Sequence, residues 1–147
     1  MANKIENLDK KNIFVASIDI GTNSTHLLIA SIDSYLKTFT IELAEKVATR
    51  LGERDPETGH LTEIAQERVI EALRRFKDLA ISFKVENILI AATSAVREAP
   101  NGNVFINQIK EKTDLEVEVI SGTEEARLIY LGVLSGMKFE NCPYLLI

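Results

Sequence analysis

The first ordered segment is predicted for residues 13–30, which read IFVASIDIGTNSTHLLIA. Its two ends, residues 13–18 and 26–30, are short apolar runs rich in Ile, Val and Leu, which is typical of β-strands. The centre, residues 19–25, is polar and contains a glycine. The pattern therefore predicts a β-hairpin. Because its turn is longer than the two-residue turns of ordinary hairpins, the turn is the first candidate for a functional loop.

This polar turn offers two kinds of ligand. Gly21, Thr22, Asn23 and Ser24 are small residues whose backbone N–H groups and hydroxyls could converge on one phosphate as a concave nest. Asp19, at the end of the first strand, could hold a hydrated Mg²⁺ ion beside that phosphate. Equally, Asn23 and Ser24 could cap their own backbone in a plain polar connection. The residues of the turn leave both interpretations open.

The next segments extend the hairpin. Residues 37–47 alternate apolar and polar side chains, which predicts a third strand with Phe39, Ile41 and Leu43 on one face. Thr62 is predicted to begin a long helix with an apolar stripe on one side. The stripe consists of Ile64, Val69, Leu73, Phe76, Ala80 and Phe83.

The second half of the chain alternates strands and helices. Residues 87–92 form a continuous apolar run, which predicts a central parallel strand covered on both faces. A second helix is predicted for Asn101–Lys112 and a further strand for Leu115–Ile120. Three antiparallel strands followed by helix, strand, helix and strand are the order of a ribonuclease H-like domain. We therefore predict an α/β fold with a mixed five-stranded sheet, strands 1–3 antiparallel and helices on both faces.

Composition and charge exclude some classes of function. With 147 residues and 46% hydrophobic content, the chain can bury a substantial core. Its 22 acidic and 17 basic residues give a net charge of −5, so it has no basic field for nucleic acid or an anionic membrane. The single cysteine, Cys142, cannot form an intramolecular disulfide, and His26 and His60 lack metal-ligand spacing. We expect a cytoplasmic protein without nucleic-acid or membrane partners.

Two further predicted strand ends carry candidate site residues. Arg97 follows residues 87–92 and could bind phosphate with two parallel N–H groups, or it could be an ordinary surface arginine. Ser121 and Glu124 have the spacing of a capping box, in which the Glu124 carboxylate would accept the Ser121 N–H. Glu125 has no such duty, and it could either complement the helix dipole or act as a general base on water.

Three motifs together resemble the exopolyphosphatase/guanosine pentaphosphate phosphatase (Ppx/GppA) family. They are SIDIGTNS at residues 17–24, ATSAVR at residues 92–97 and ISGTEEARLIY at residues 120–130. The resemblance runs from about Phe14 to the end of the chain and implies an actin-like, two-domain phosphohydrolase with its site in the cleft. It further implies that Asp19 and residues 21–24 form the first phosphate loop, that Arg97 contacts phosphate and that Glu125 is the catalytic base.

The resemblance also implies ligands and domain organisation. Polyphosphate or a guanosine polyphosphate would be the substrate, Mg²⁺ the cofactor, and we expect the full-length protein to be a homodimer. Proteins of this family continue into a second Asp-x-Gly-Gly-Gly-Ser-type loop, which this chain does not reach. We therefore expect residues 1–11 to be a flexible lead, residues 12–137 an N-terminal ribonuclease H-like domain, and residues 138–147 the start of a truncated second actin-like domain.

Two other functions stay open from the sequence. One is a non-catalytic phosphate-binding or nucleotide-binding regulatory module. The other is an actin-like sugar kinase or ATPase domain, which shares the Asp-x-Gly-Thr loop but does not show the Ser-Gly-x-Glu-Glu-Ala-Arg helix start of residues 121–127.

Overall fold

The computed structural model describes residues 13–33 and 38–136. The predicted lead at residues 1–11 and the predicted start of a second domain at residues 138–147 lie outside this range. Within it, five strands and four helices follow one another. They are β1 (Ile13–Ile20), β2 (Thr25–Asp33), β3 (Thr38–Val47), α1 (Glu63–Ser82), β4 (Asn87–Ala92), α2 (Ser94–Arg97), α3 (Gly102–Thr113), β5 (Glu118–Val119) and α4 (Gly122–Gly136).

The strands form one mixed sheet in the order β3-β2-β1-β4-β5. β1 pairs antiparallel with β2, and β2 pairs antiparallel with β3. β4 pairs parallel with β1, and β5 pairs parallel with β4. This is the predicted sheet, with its first three strands antiparallel and the later strands added beside β1 by helical crossovers.

One face of the sheet is covered by α1 and α3. The core between the sheet and these two helices is made of side chains that are almost completely buried. It includes Ile18, Ile20, Leu27 and Ile29 of the sheet, Val69, Leu73 and Phe76 of α1, and Phe105 and Ile109 of α3. Thr62 is the N-cap of α1, as predicted, and its side chain accepts a hydrogen bond from Ala65 N. Ile64 was wrongly assigned to the buried stripe and is 72% exposed, because the stripe begins at Ala65 and one residue turns a helix by about 100°.

The other face is more open among the described residues. Glu124 and Leu128 of α4 line a groove with Ser17 of β1 and Leu89 of β4, so helices lie against both faces. Leu89 is nevertheless 67% exposed, and the prediction that residues 87–92 are covered on both faces is wrong for this part of the chain. No helix among residues 13–33 and 38–136 is long and apolar enough to cross a membrane.

The third strand differs from the prediction because it contains a register shift. Leu43 pairs with Ile29, but Ile41 pairs with the adjacent residue Ala30, so Glu42 is an extra residue in β3. An extra residue moves the side chains before it to the opposite face. Ile41 is therefore 56% exposed, whereas Leu43 packs against the core.

Element boundaries also differ in the second half of the chain. α3 begins at Gly102 and ends at Thr113, one residue later at each end than predicted. β5 comprises only Glu118–Val119 of the predicted Leu115–Ile120 strand. The short helix α2, Ser94–Arg97, was not predicted.

Candidate functional site

Four connections meet at one edge of the sheet because of the strand directions. β1, β4 and β5 are parallel, so their C-terminal ends lie at the same edge. β3 runs antiparallel to β2, which itself runs antiparallel to β1, so β3 also ends there. The connections that follow these four strands begin at residues 21, 48, 93 and 120. Open α/β sheets place their ligands at this edge.

Residues 21–24, called here the β1–β2 loop, form a tight turn. Gly21 N donates to Ser24 O at 3.1 Å, and a Cβ atom at Gly21 would lie 3.1 Å from the same oxygen. Ser24 Oγ is 2.8 Å from His26 Nε2 instead of capping its own backbone, and the Asn23 side chain makes no such cap among the described residues. The amide N–H groups of Thr22, Asn23 and Ser24 donate to no acceptor in this part of the chain. The geometry thus favours a loop with free amide donors over a self-capped turn.

The connection after β3 holds the β1–β2 loop in place. Arg50 N donates to Asn23 O at 2.9 Å, and Gly52 N donates to Thr22 O at 2.8 Å. A Cβ atom at Gly52 would lie only 2.5 Å from Thr22 Cγ2, so this close approach requires glycine. The structure thus places the first residues of this connection directly against the β1–β2 loop.

Arg97 joins two of the strand ends. Its Nη1 donates to Ile120 O at 2.7 Å and lies 3.6 Å from Glu125 Oε2. Its Nη2 lies 4.0 Å from Glu98 Oε1. Arg97 is therefore more than a surface arginine, because its guanidinium connects α2 to the end of β5 and to the start of α4.

The first turn of α4 separates the two glutamates. Ser121 Oγ accepts a hydrogen bond from Glu124 N at 3.1 Å, as a capping residue should. The Glu124 carboxylate, however, accepts two hydrogen bonds from Arg127, at 2.8 and 2.7 Å, and the predicted bond from Ser121 N–H is absent from the described residues. The Arg127 bonds lower the pKa of Glu124 below its ordinary value. The Glu124 carboxylate is thus already bound by Arg127 on the helix surface, whereas the Glu125 carboxylate faces Arg97.

Asp19 lies at the C-terminal end of β1, next to the β1–β2 loop. Partial desolvation raises the pKa of Asp19 above its ordinary value. The nearby His26 opposes this rise, and the negative charge of Glu125 adds to it. His26 lacks metal-ligand spacing in the sequence, but residues in an extended segment meet neighbours two positions away, as His26 meets Ser24.

The residues present fit a hydrated Mg²⁺ ion. No group of three or more His, Cys, Asp or Glu side chains within residues 13–33 and 38–136 could enclose a metal ion. Mg²⁺ does not need such a cage, because it usually keeps several waters and binds one or two carboxylates together with substrate phosphates. Asp19 supplies one such carboxylate at the end of β1, next to the β1–β2 loop.

Comparison with known proteins identifies the family. The sequence profile of the Ppx/GppA phosphatase family matches residues 28–147. This chain belongs to the Ppx/GppA phosphatase family. The solved structure of the Aquifex aeolicus Ppx-GppA enzyme is similar with a TM-score of 0.81 and 40% identity, over 88% of this chain and 42% of that one. The predicted ribonuclease H-like, actin-like fold class is therefore confirmed.

Two curated Ppx/GppA relatives carry functional names. The exopolyphosphatase 1 of Mycobacterium leprae is 30% identical over 79% of this chain and 34% of its own length. The guanosine-5'-triphosphate,3'-diphosphate pyrophosphatase of Aeromonas hydrophila is 35% identical over 80% of this chain and 23% of its own length. The chain thus spans about a quarter to a third of these relatives.

Proposed function

We propose that this chain supplies one side of the active site of a phosphohydrolase that releases terminal phosphate from inorganic polyphosphate or guanosine pentaphosphate. The observation that carries the proposal is the distance of 3.6 Å between Arg97 Nη1 and Glu125 Oε2, at the sheet edge that also holds the β1–β2 loop. Family membership supports the reaction class, and the names of the relatives support the two substrates.

The terminal phosphoryl group would bind where Thr22 Oγ1 and Ser94 Oγ lie 3.2 Å apart, between the β1–β2 loop and α2. The unoccupied amide donors of Thr22, Asn23 and Ser24 are suited to its negatively charged oxygens. Arg97 would bind the same group through the N–H donors that Ile120 does not use. These donors hold the phosphorus in place and stabilise the charge of the transition state.

Glu125 is the proposed general base. Its carboxylate accepts a proton from a water molecule, the water oxygen forms a bond to the terminal phosphorus, and the bond from phosphorus to the bridging oxygen breaks. The electron pair of that bond stays on the oxygen of the shortened polyphosphate or nucleotide. Glu124 does not compete for this role, because Arg127 already binds both of its carboxylate oxygens.

Asp19 would hold Mg²⁺ on the substrate side of the β1–β2 loop. The ion would supply positive charge that offsets the negative charge of the phosphoryl oxygens, which otherwise repels a nucleophile.

The remaining proposals concern the whole protein. We place it in the cytoplasm and expect it to be a homodimer, as the resemblance implies. A non-catalytic phosphate-binding module is the alternative that the same loop geometry allows, and the presence of Glu125 beside Arg97 argues for catalysis.

The test is phosphate release with Mg²⁺ from polyphosphate, guanosine pentaphosphate and ATP in parallel. The protein to use is a fusion of this chain to the remainder of the Aquifex aeolicus enzyme, since that enzyme matches 88% of this chain. We call it the fusion protein. We expect release from at least one of the first two substrates and little from ATP. Binding of polyphosphate without release would favour the non-catalytic alternative.

A further inference from the structure

A groove of about 550 Å³ lies beside the β1–β2 loop, on the β3 side of the sheet edge. Its walls include Thr22, Asn23 and Ser24 of that loop together with Lys46 and Arg50 from the end of β3 and the connection after it. The candidate catalytic groups Arg97 and Glu125 follow β4 and β5 on the other side of the loop. The groove therefore continues the candidate site in one direction along the sheet edge.

The two basic side chains in this groove have no partner among the described residues. Within the described residues, neither Lys46 nor Arg50 has a side-chain hydrogen bond or a carboxylate within ion-pair distance. The neighbouring acids do not neutralise them, because Glu45 is bound by Arg75 and Glu53 is bound by Arg68 at 2.5 Å. Two uncompensated positive charges thus line one groove.

Basic side chains without a partner are rare among the described residues. Of the lysines and arginines in residues 13–33 and 38–136, only Lys46, Arg50 and Lys84 have side chains that bind neither a carboxylate nor a carbonyl. Lys84 follows α1 at the opposite edge of the sheet, just before β4. In a chain with a net charge of −5, two of the three free cations therefore lie next to the same loop.

The backbone fixes Arg50 in its position. Its φ angle of 47° lies in the left-handed region, which is unfavourable for a residue with a Cβ atom. The hydrogen bond from Arg50 N to Asn23 O at 2.9 Å and the bond from Glu53 N to Arg50 O at 3.1 Å hold this conformation. Arg50 is consequently anchored to the β1–β2 loop, while its side chain stays free for a ligand.

We propose that Lys46 and Arg50 form a second phosphoryl-binding site, which holds a further phosphoryl group of the same polyanionic substrate. This proposal rests on the proposed function, because it assumes that the first phosphoryl group occupies the β1–β2 loop. Lys46 also lines the adjacent groove that contains Asp19 and His26, so its side chain borders both grooves. The substrate lies along the sheet edge, with its terminal group towards Glu125 and the rest towards β3.

The spacing of the strands sets the size of the ligand. β3 lies two strand spacings from β1, which is roughly 10 Å. Orthophosphate is too small to reach both positions. A linear polyphosphate and a guanosine nucleotide with two separate diphosphate groups both offer a second phosphoryl group at some distance from the first. Lys46 and Arg50 could bind the second phosphoryl group of either ligand.

The test is an NMR titration of the ¹⁵N-labelled 147-residue chain with orthophosphate, medium-chain polyphosphate and guanosine 3',5'-bis(diphosphate). The proteins are the unchanged chain and the variants Lys46→Gln, Arg50→Gln and Lys84→Gln. We expect Lys46→Gln and Arg50→Gln each to raise Kd for at least one of the two polyanions by about 5- to 10-fold, the loss of a charge-assisted hydrogen bond. Kd for orthophosphate should change by less than about 2-fold, since one phosphate occupies only the β1–β2 loop. Lys84→Gln removes the same charge elsewhere and should leave every Kd unchanged.

The second site is refuted if neither Lys46→Gln nor Arg50→Gln weakens the binding of either polyanion, or if Lys84→Gln weakens this binding equally. It is also refuted if no polyanion binds to the unchanged chain. The proposed function has a separate readout, the amide signals of Thr22, Asn23 and Ser24 during the orthophosphate titration. If these signals stay still while the groove variants weaken binding of a polyanion, the assignment of the β1–β2 loop fails, and with it the proposal that the groove holds a second group of a substrate bound in that loop. If they move while the groove variants change nothing, the second site alone fails.

Discussion

Arg97 Nη1 lies 3.6 Å from Glu125 Oε2 while it donates a hydrogen bond to Ile120 O at 2.7 Å. One guanidinium group thus contacts both the carbonyl at the end of β5 and the carboxylate in the first turn of α4. A phosphate bound by the remaining N–H donors of Arg97 would lie next to Glu125. This arrangement links substrate binding to the proposed base, and it makes the two roles separable by substitution.

Replacing Arg97 by lysine should impair substrate binding more than turnover. A lysine ammonium cannot bind the Ile120 carbonyl and a phosphate in the parallel geometry of a guanidinium. In the fusion protein we expect KM for polyphosphate to rise by about 10-fold, with a smaller decrease in kcat. Arg74→Lys is the matched control, because Arg74 is an exposed arginine of α1 whose one ion pair among the described residues is with Glu67. An unchanged KM with a strongly reduced kcat would contradict the binding role.

Replacing Asp19 by asparagine should stabilise the chain at neutral pH. Because the folded-state pKa of Asp19 is raised, folding favours its protonated form. Below the ordinary carboxyl pKa both states hold the proton, so Asp19 carries no penalty there. As the pH rises through that value towards the raised pKa, the unfolded state loses its proton first and the stability of the fold decreases. Thermal unfolding with a chelator should thus show a higher Tm for Asp19→Asn at pH 7, and a smaller difference near pH 4.

Asp55 provides a control of opposite sign. Hydrogen bonds from the backbone N–H and the hydroxyl of Thr58 lower the pKa of Asp55, and its ionised form contributes stability that is lost as the pH falls. Asp55→Asn should therefore lower Tm at pH 7 and have less effect near pH 4. If both variants shift Tm in the same direction at pH 7, the environment assigned to Asp19 is wrong.

Gly52 should tolerate no larger residue. A Cβ atom there would lie 2.5 Å from Thr22 Cγ2, and threonine is too stiff at χ1 to move that methyl group away easily. We expect Gly52→Ala to reduce the free energy of unfolding by about 1–3 kcal/mol in urea denaturation. Gly132→Ala is the control, because nothing lies within 4 Å of its Cβ position in α4 and alanine favours helix. A Gly52→Ala protein as stable as the unchanged chain would contradict the close packing of the two loops.

The 147-residue chain alone should release no phosphate from polyphosphate at a useful rate. It covers 42% of the Aquifex aeolicus enzyme, and catalysis depends on groups held in place on both sides of a site. Phosphate release should be measured with Mg²⁺ for the chain and for the fusion protein at equal concentration. Robust turnover by the chain alone would show that the residues described here are sufficient.

The sequence predicted the sheet because its strongest signals are local. Apolar side chains mark the buried faces directly, both in the runs of β1 and β2 and in the stripe of α1. The register shift opposite Ile29 and Ala30 has no local signal, so the orientation of Phe39 and Ile41 was wrong. β5 was predicted too long, since the alternation of apolar and polar residues in Leu115–Ile120 predicts burial more reliably than strand pairing.

The site was partly predictable for a similar reason. Polar residues directly after strands mark the ligand edge, and Arg97 and Glu125 do lie together there. Lys46 and Arg50 were missed because their importance depends on contacts between distant segments, and His26 was missed because its neighbour Ser24 lies at strand spacing. Arg50 meets Asn23 only after the sheet has formed, and Glu124 binds Arg127 in preference to the predicted partner Ser121.

The most direct test of the proposed base compares Glu125→Gln with Glu124→Gln in the fusion protein. Glutamine keeps the shape of glutamate and removes its basicity. If Glu125 activates water, Glu125→Gln should lower kcat for polyphosphate by ~10²–10⁴-fold with a nearly constant KM. Glu124→Gln should keep kcat largely unchanged, because both oxygens of that carboxylate are bound by Arg127 on the surface of α4. Loss of turnover in Glu124→Gln together with an active Glu125→Gln protein would contradict the assignment of Glu125 as the catalytic base.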